Sequence, residues 1–428
     1  MNKFKSGFMI GAATSAHQVE GNNVNSDYWI MENLPCSNFK EPSEDAVDHY
    51  NRYLEDIKLL SDAGLNAYRF TIEWARIEPE KGKFDKKEIE HYRDVLKCCI
   101  EHSVTPIVTL HHFSSPKWLI SEGGWESEKT IGYFGDYCSY VVSELGTLIP
   151  YICTINEANM GVQIARLMKE YRDKLGALKQ KNADVQVGLN VENPVEIFNR
   201  GLEEAFGIEA SKVQGFLSPR TAAGDLIIIK CHVKAREIIK AINPNIKVGI
   251  TMSLYDYQAL PGGEKYVEAM WDEDFLHYLP YLKEDDFFGV QNYTRKIFDS
   301  NGKVNPNEET KMTDMGNEYY PLSLAGAIRY ISKHWGKEII VTENGISTSN
   351  DIDRIDFIKE ALAGLYHCVE EGIPVIGYMH WSLLDNFEWQ KGYEQKFGLI
   401  AVDRKTQMRY PKESLAVLGN VNKIGLSL

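Results

Sequence analysis

The fold is decided by three consecutive runs of sequence: EIIVTE (Glu338–Glu343), FIKEALAGLYHCVEEG (Phe357–Gly372) and PVIGYMHW (Pro374–Trp381). The first and third runs are short, apolar and partly β-branched, which predicts two buried strands. The middle run has apolar residues at helical spacing and ends on a glycine, which is a common helix stop. Strands that alternate with helices in this way are typical of an α/β fold.

The same alternation extends back to the start of the chain. Six further runs precede these three: FMIGAAT (Phe8–Thr14), AYRFTI (Ala67–Ile72), TPIVTL (Thr105–Leu110), YICTIN (Tyr151–Asn156), IKVGIT (Ile246–Thr251) and FFGVQN (Phe287–Asn292). Helical segments separate them, such as YNRYLEDIKLLSDAG, which closes on Gly64. Eight strands alternating with helices predict a (β/α)₈ TIM barrel. A doubly wound open sheet is the alternative, and it is disfavoured because no glycine-rich phosphate turn follows the first strand.

The length and the spacing of the strands predict one domain. A chain of 428 residues is within reach of a barrel with extended loops at the C-terminal face. The longest stretch without a predicted strand is Gly161–Lys247, which we expect to carry extra helices on the loop after the fourth strand. No repeat, low-complexity tract or Pro/Ser-rich linker interrupts the sequence. We therefore expect a single (β/α)₈ domain over residues 1–428.

The composition excludes several classes of partner. A formal charge of −14 argues against nucleic acid and anionic membranes, since both require clustered lysine and arginine. No stretch approaches the roughly 20 apolar residues of a membrane span. The seven cysteines lack metal-ligand spacing and are interpreted as thiols of a reducing compartment. A cytoplasmic protein is the expectation.

Candidate site residues follow from the barrel itself, because barrel enzymes place their active sites at the C-terminal ends of the strands. The residues at these ends are Gln18, His111, His112, Asn156, Glu157, Asn292, Tyr293, Glu343 and Trp381. Carboxylates and amides bind hydroxyl groups and indoles stack on apolar ring faces, so this set predicts a sugar site. A metal site at the two histidines is disfavoured because adjacent strand residues point to opposite faces. No cofactor is predicted.

The same residues lie in motifs that resemble the family 1 glycoside hydrolases, the β-glucosidase family. The resemblance runs from Phe8 to about Pro411 and rests on seven ordered motifs. They are FMIGAATSAHQVEG, AYRFTIEWARIEP, VTLHHF, TINEAN, QNY, VTENGI and WSLLDNFEWQKGYEQKFGL.

The resemblance implies a role for each matched position. Glu157 is expected to be the acid/base and Glu343 the nucleophile of a retaining mechanism. Arg69 is expected beside the nucleophile and Tyr293 in contact with it. The residues expected to bind the sugar are Gln18, His112, Asn156, Tyr293, Trp381, Glu388 and Trp389. The charge on Glu343 should keep Glu157 protonated near neutral pH before the nucleophile attacks.

The chain departs from the family pattern at three places. Ala158 replaces the proline that usually follows the acid/base, and that proline would favour extended geometry at Glu157. Gln291 and Asn292 stand where the family usually has asparagine and tyrosine. Phe113 stands where tryptophan is common.

The predicted function is hydrolysis of a small-molecule glycoside that carries a terminal, non-reducing, unphosphorylated β-linked sugar. Glucose is the first expectation, with galactose and fucose as close relatives. Transglycosylation, in which another alcohol replaces water, uses the same residues and remains an alternative. A catalytically silent sugar-binding barrel would be expected to lose one of Glu157 and Glu343, and both are present. A phosphatase or metal hydrolase is disfavoured because this sequence lacks the cluster of histidine and aspartate ligands that such an enzyme requires.

Overall fold

The structure, a computed structural model, describes residues 3–179 and 193–425. Eight parallel strands close into a barrel in the order β1-β11-β10-β7-β5-β4-β3-β2. These strands are β1 (Met9–Ala13), β2 (Ala67–Thr71), β3 (Thr105–Thr109), β4 (Tyr151–Cys153), β5 (Lys247–Ser253), β7 (Phe287–Gln291), β10 (Glu338–Asn344) and β11 (Val375–Trp381). Each coincides with one of the eight predicted runs, so the (β/α)₈ prediction is confirmed.

Helices surround the barrel. They are α1 (Ala16–Val19), α2 (Asp27–Glu32), α3 (His49–Ala63), α4 (Trp74–Ile77), α5 (Lys86–Glu101), α6 (Lys117–Ser121), α7 (Lys129–Leu145), α8 (Met160–Lys179), α9 (Pro194–Phe206), α10 (Ala222–Ile242), α11 (Glu264–Asp274), α12 (Ser323–Ser332), α13 (Asp351–Glu370) and α14 (Glu413–Ile424). The described part of the stretch from residue 161 to 246 is helical where it is regular, as predicted.

Within the described residues, five short strands lie outside the barrel and were not predicted. β6 (Asp256–Ala259), β8 (Arg295–Asp299) and β9 (Gly302–Val304) form one small sheet, and β12 (Ile400–Val402) pairs with β13 (Arg409–Pro411). They are three to five residues long and partly exposed, so they lack a continuous apolar run. They belong to the extended loops at the barrel mouth.

The barrel strands are almost wholly buried because helices cover the outer face while side chains fill the interior. All five residues of β1, β2 and β7 are buried, as a parallel sheet enclosed on both sides requires. One apolar cluster inside the barrel contains Ile107, Phe287 and Ile340 from three different strands. The interior is therefore a packed core, and ligands have access only at its ends.

Local signals in the sequence set the helix boundaries. Gly64 adopts a left-handed conformation with φ of 107° and its backbone N–H closes the end of α3. Asn350 caps the start of α13, where its side chain accepts a hydrogen bond from the backbone of Ile352. These caps fix where each helix returns to the next strand.

Three general features bear on the expectations from composition. Within the described ranges, no helix is both long and apolar enough to cross a bilayer. The seven cysteines are all free thiols, six of them buried. In the same described ranges, His, Cys, Asp and Glu side chains form no group of three or more that could hold a metal ion.

Candidate active site

The C-terminal ends of the barrel strands bring to one mouth the ten residues to which the resemblance gave a role. The other two strand-end candidates bond elsewhere, His111 to Ser115 and Asn292 to Leu254 and Ser323. Glu343 lies near the end of β10, and Glu157 lies on the turn between β4 and α8. The others come from β2, β11, α1 and the loops after β3, β4, β7 and β11: Arg69, Trp381, Gln18, His112, Asn156, Tyr293, Glu388 and Trp389. Hydrogen bonds, ring contacts and electrostatic interactions connect them into one network.

Glu343 is bound by three donors. Its Oε1 accepts hydrogen bonds from Arg69 Nη1 at 2.6 Å and from Gln291 Nε2 at 2.7 Å. Its Oε2 accepts a hydrogen bond from the hydroxyl of Tyr293 at 2.5 Å. Burial raises the pKa of this carboxyl above its ordinary value, and the charge of Arg69 and the bond from Tyr293 reduce that rise without cancelling it. The three donors themselves fix the carboxyl group and favour its ionised form.

Asn156 connects Arg69 to His112 and fixes the tautomer of that histidine. Its Oδ1 accepts hydrogen bonds from Arg69 and from Gln291, so its Nδ2 must be the donating end. That Nδ2 lies 3.1 Å from His112 Nε2, which must then accept. Burial holds the pKa of His112 well below its ordinary value. His112 is therefore neutral, with its proton on Nδ1.

The environment of Glu157 differs from that of Glu343. Burial raises the pKa of Glu157 to about 8, and the negative charge on Glu343 adds to that rise. The side chain of Ser253 acts in the opposite direction and lowers this pKa. Two carboxyl groups in one mouth thus have different roles available: one is protonated near neutral pH, and the other is held by a guanidinium.

The backbone at Glu157 is strained. Its φ is 44°, in the left-handed region that costs a residue with a side chain about 1 to 2 kcal/mol. Its N–H donates to Thr251 Oγ1 at 3.1 Å, and the next N–H, of Ala158, donates to Thr251 O at 3.0 Å. The turn is therefore held against β5, and it does not have the extended geometry that a following proline would favour.

Glu388 and Gln18 form a second polar pair at the mouth. Gln18 Nε2 donates to the backbone oxygen of Phe387 at 2.8 Å and approaches Glu388 Oε2 at 3.3 Å. Burial raises the pKa of Glu388 to about 8, and the charge on Glu343 adds to that rise. This electrostatic link shows that the pair belongs to the same site as the two catalytic candidates.

Aromatic rings line the same mouth. The ring of His112 lies 5.6 Å from Trp381 and 6.4 Å from Trp389, nearly parallel to both. Phe113, at the position where tryptophan is common, packs 5.3 Å from Trp389. Flat apolar surfaces beside hydrogen-bonding side chains are the arrangement that a sugar ring requires.

Comparison with known proteins agrees with this geometry. The model of glycosyl hydrolase family 1 matches residues 1–186 and 274–424. The chain belongs to glycosyl hydrolase family 1. Because that family is retaining, this chain is a retaining glycoside hydrolase.

Individual relatives cover nearly the whole chain. A solved crystal structure of a β-glycosidase is 42% identical, covers 98% of this chain and 97% of its own, and has a TM-score of 0.87. β-Glucosidase A of Acetivibrio thermocellus is 27% identical over 96% of both chains. The bifunctional β-D-glucosidase/β-D-fucosidase of Bifidobacterium breve is also 27% identical over 96% of both.

Two residues of this glycoside hydrolase enter the site without having been predicted there. Gln291 was noted only as a departure, yet it donates to both Glu343 and Asn156. Ser253 was missed because the predicted fifth strand stopped at Thr251, two residues short of the observed end of β5. Reading the side chains at the end of that strand, as for the others, would have found Ser253. Ser253 lies in residues 187–273, which the family model does not match.

Proposed function

We propose that this family 1 glycoside hydrolase is a β-glucosidase-like enzyme in which Glu343 is the nucleophile and Glu157 is the acid/base. The observation that carries the proposal is the contrast between the two carboxyl groups. Arg69, Gln291 and Tyr293 all donate to Glu343, whereas burial and the charge on Glu343 raise the pKa of Glu157 to about 8. A retaining glycosidase requires this pairing of an ionised carboxylate with a protonated one.

The chemistry then proceeds in two steps. Glu343 attacks the anomeric carbon while Glu157 gives its proton to the departing oxygen, which leaves a covalent glycosyl ester. The ester removes the negative charge of Glu343, so the pKa of Glu157 falls and its carboxylate can accept a proton from water. That water cleaves the ester and restores both groups. Retention results because each step inverts the anomeric centre.

The substrate class rests on the groups around these carboxyls. His112 carries its proton on Nδ1, which has no hydrogen-bond partner within the described residues and is available to a sugar hydroxyl. Trp381 provides an apolar face, and Gln18 with Glu388 provides hydroxyl-binding groups. The bifunctional relative supports tolerance for fucose beside glucose. The alternative of transglycosylation gains no support from the named relatives.

The sugar is expected to be unphosphorylated. Among the described residues, the charge with the largest effect on the pKa of Glu388 is another carboxylate, Glu343. The resemblance places Glu388 near the hydroxyls at the far end of the ring, so a 6-phosphate would add about −1.5 to −2 charges there. Phe397 is buried against Tyr293, and its apolar ring has no group that could bind a phosphate.

A panel of aryl β-glycosides tests the proposed function and this preference together. We expect kcat/KM for an aryl β-glucoside to exceed that for the matched aryl 6-phospho-β-glucoside by about 10²-fold or more, because like charges placed together cost several kcal/mol. Galactoside and fucoside members of the panel serve as controls for general tolerance. A higher value for the phosphorylated sugar would contradict the proposed substrate class.

Replacing Gln291 with methionine tests its contact with the nucleophile. The change keeps the volume but removes the donors to Glu343 and Asn156. A hydrogen bond to a charged group contributes about 1.5 to 3 kcal/mol, so we expect kcat/KM to fall about 10- to 100-fold. Since that bond favours the ionised form, its loss should raise the pKa of Glu343 and move the acid limb of the pH profile to higher pH. An unchanged acid limb would contradict the assignment.

We also propose that the chain forms one domain and acts in the cytoplasm. The single domain is supported by packing of the last helix against the first part of the barrel, since Lys423 on α14 donates to the backbone oxygen of Ala63 at the end of α3. The location is supported by the free state of all seven cysteines. Mass measurement with and without a thiol-blocking reagent on freshly isolated protein would count those thiols.

A further inference from the structure

Asn159 holds the turn that carries Glu157, although it is not among the residues expected to touch a substrate. Its side chain is completely buried between β4 and α8. Its Nδ2 donates to the backbone oxygen of Ser253 at 2.8 Å and to that of Asp274 at 3.0 Å. Its Oδ1 accepts from the backbone N–H of Ser253 at 3.0 Å. One side chain thus pairs with both backbone groups of Ser253, as a neighbouring strand would.

The pairing uses both ends of the Asn159 amide. Its NH₂ group donates and its carbonyl oxygen accepts, so one side chain pairs with the C=O and the N–H of the same residue. Gln163, one turn later on α8, adds a third contact by donating to the same backbone oxygen of Ser253 at 2.9 Å. The end of β5 is therefore fastened to the start of α8 by buried amides.

Ser253 connects Asn159 to the carboxyl group of Glu157. While its backbone is paired with Asn159, its side chain acts on the carboxyl group of Glu157 and lowers the pKa of that group. On the other side of the turn, the guanidinium of Arg220 donates to the backbone oxygen of Ala158 at 3.3 Å. The turn has no proline, and its left-handed residue persists because the contacts around it define its shape.

We propose that Asn159 is a positioning residue for the acid/base, which holds Ser253 against the turn and thereby sets the angle at which Glu157 protonates the leaving group. This inference rests on the proposed role of Glu157. In this turn a buried amide, and not a proline at position 158, would hold the acid/base in place. The consequence is a specific one: loss of Asn159 should harm proton transfer more than it harms attack by the nucleophile.

The test compares Asn159→Ala with the wild-type enzyme on two glucosides. The phenyl glucoside needs a proton to depart, and the 2,4-dinitrophenyl glucoside does not. We expect kcat/KM to fall about 30-fold for the phenyl substrate and less than about 3-fold for the dinitrophenyl substrate, within the range that acid catalysis contributes. On the dinitrophenyl substrate, kcat and KM should fall together because the second step, which needs the base, becomes limiting. Added azide should then raise kcat.

Asn66→Ala is the matched control. The Asn66 amide also pairs with backbone groups, of two different residues (Ile10 N at 2.8 Å and Phe8 O at 3.1 Å), but it lies at the opposite end of the barrel. We expect that variant to lose thermal stability while the ratio of the two kcat/KM values stays at the wild-type level. An equal loss on both substrates in Asn159→Ala, or a changed ratio in Asn66→Ala, would overturn the inference.

Ser253→Ala provides a second measurement that does not depend on the folding of the first variant. It removes only the hydroxyl that lowers the pKa of Glu157, so the alkaline limb of kcat/KM should move to higher pH. The other groups that act on Glu157 are unchanged: Glu343, Glu388, Arg69, Tyr255 and Tyr293. An unmoved limb would contradict the link. Glu157→Ala, run in parallel, separates the two proposals, since its failure to depend on the leaving group would refute the acid/base itself.

Discussion

Replacing Glu343 with alanine is expected to lower kcat for an aryl β-glucoside by about 10⁵-fold or more, because it removes the atom that forms the covalent bond. Circular dichroism should show that the variant remains folded, since Arg69 keeps its hydrogen bond to Asn156. Added azide can occupy the vacated space and attack from the same face as the lost carboxylate. The product should therefore be an α-glycosyl azide, which chromatography and NMR identify.

The matched control lies on the same strand. Glu338 begins β10 and Glu343 lies near its end, so Glu338→Ala alters the same residue type at the opposite end of the barrel. We expect that variant to keep wild-type kcat. A 2-deoxy-2-fluoro glucoside with a good leaving group should label the wild-type enzyme once. Peptide mapping that placed the label on any residue other than Glu343 would contradict the nucleophile assignment.

The barrel could be predicted from the sequence because its strands are buried on both faces. Such strands form uninterrupted apolar runs, and all eight runs were found in the positions that the structure gives them. The strand ends were less accurate. β4 ends at Cys153, three residues before the predicted end, and β5 continues to Ser253, two residues beyond it. Strand ends depend on hydrogen bonds to neighbouring strands, which an apolar run does not encode.

The gathering of the ten proposed site residues at one mouth could be predicted because motif order and the barrel rule point to the same positions. What the sequence did not provide were contacts that depend on the reach of a side chain across the barrel. Gln291 contacts Glu343 from the adjacent strand, and Asn159 contacts Ser253 from a turn. Neither contact is visible in spacing, because the partners are distant in sequence. Two departures from the family pattern nevertheless coincide with these contacts. Gln291 makes one of them, and Ala158 is next to Asn159, which makes the other.

The raised pKa of Glu157 predicts how the activity of the enzyme depends on pH. Because burial and the charge on Glu343 raise its pKa to about 8, Glu157 is protonated at neutral pH. For the wild-type enzyme, kcat/KM should fall as the pH rises through that range. Glu388, whose pKa is also raised to about 8, titrates in the same range and contributes to the same limb. The pH profile alone therefore does not separate Glu157 from Glu388, and variants of Glu157 have to be assayed on substrates with different leaving groups as well.

Glu157→Ala is expected to lower kcat/KM for phenyl β-glucoside by about 10²- to 10⁴-fold and to change that for 2,4-dinitrophenyl β-glucoside little, because only the first leaving group needs a proton. Turnover of the dinitrophenyl substrate should still be slow, since the variant lacks the base that activates water. Azide needs no base, so it should restore kcat and give a β-glycosyl azide, the opposite anomer to that from Glu343→Ala. The control is Glu144→Ala, at an exposed glutamate on the helix before β4, and that variant should behave as wild type.

The two anomers form a joint test: an α-azide from the Glu157 variant would mean that the carboxyl groups had been assigned in the wrong order. Absence of any azide product would mean that the proton comes from another group, and Glu388 would then be the residue to replace next.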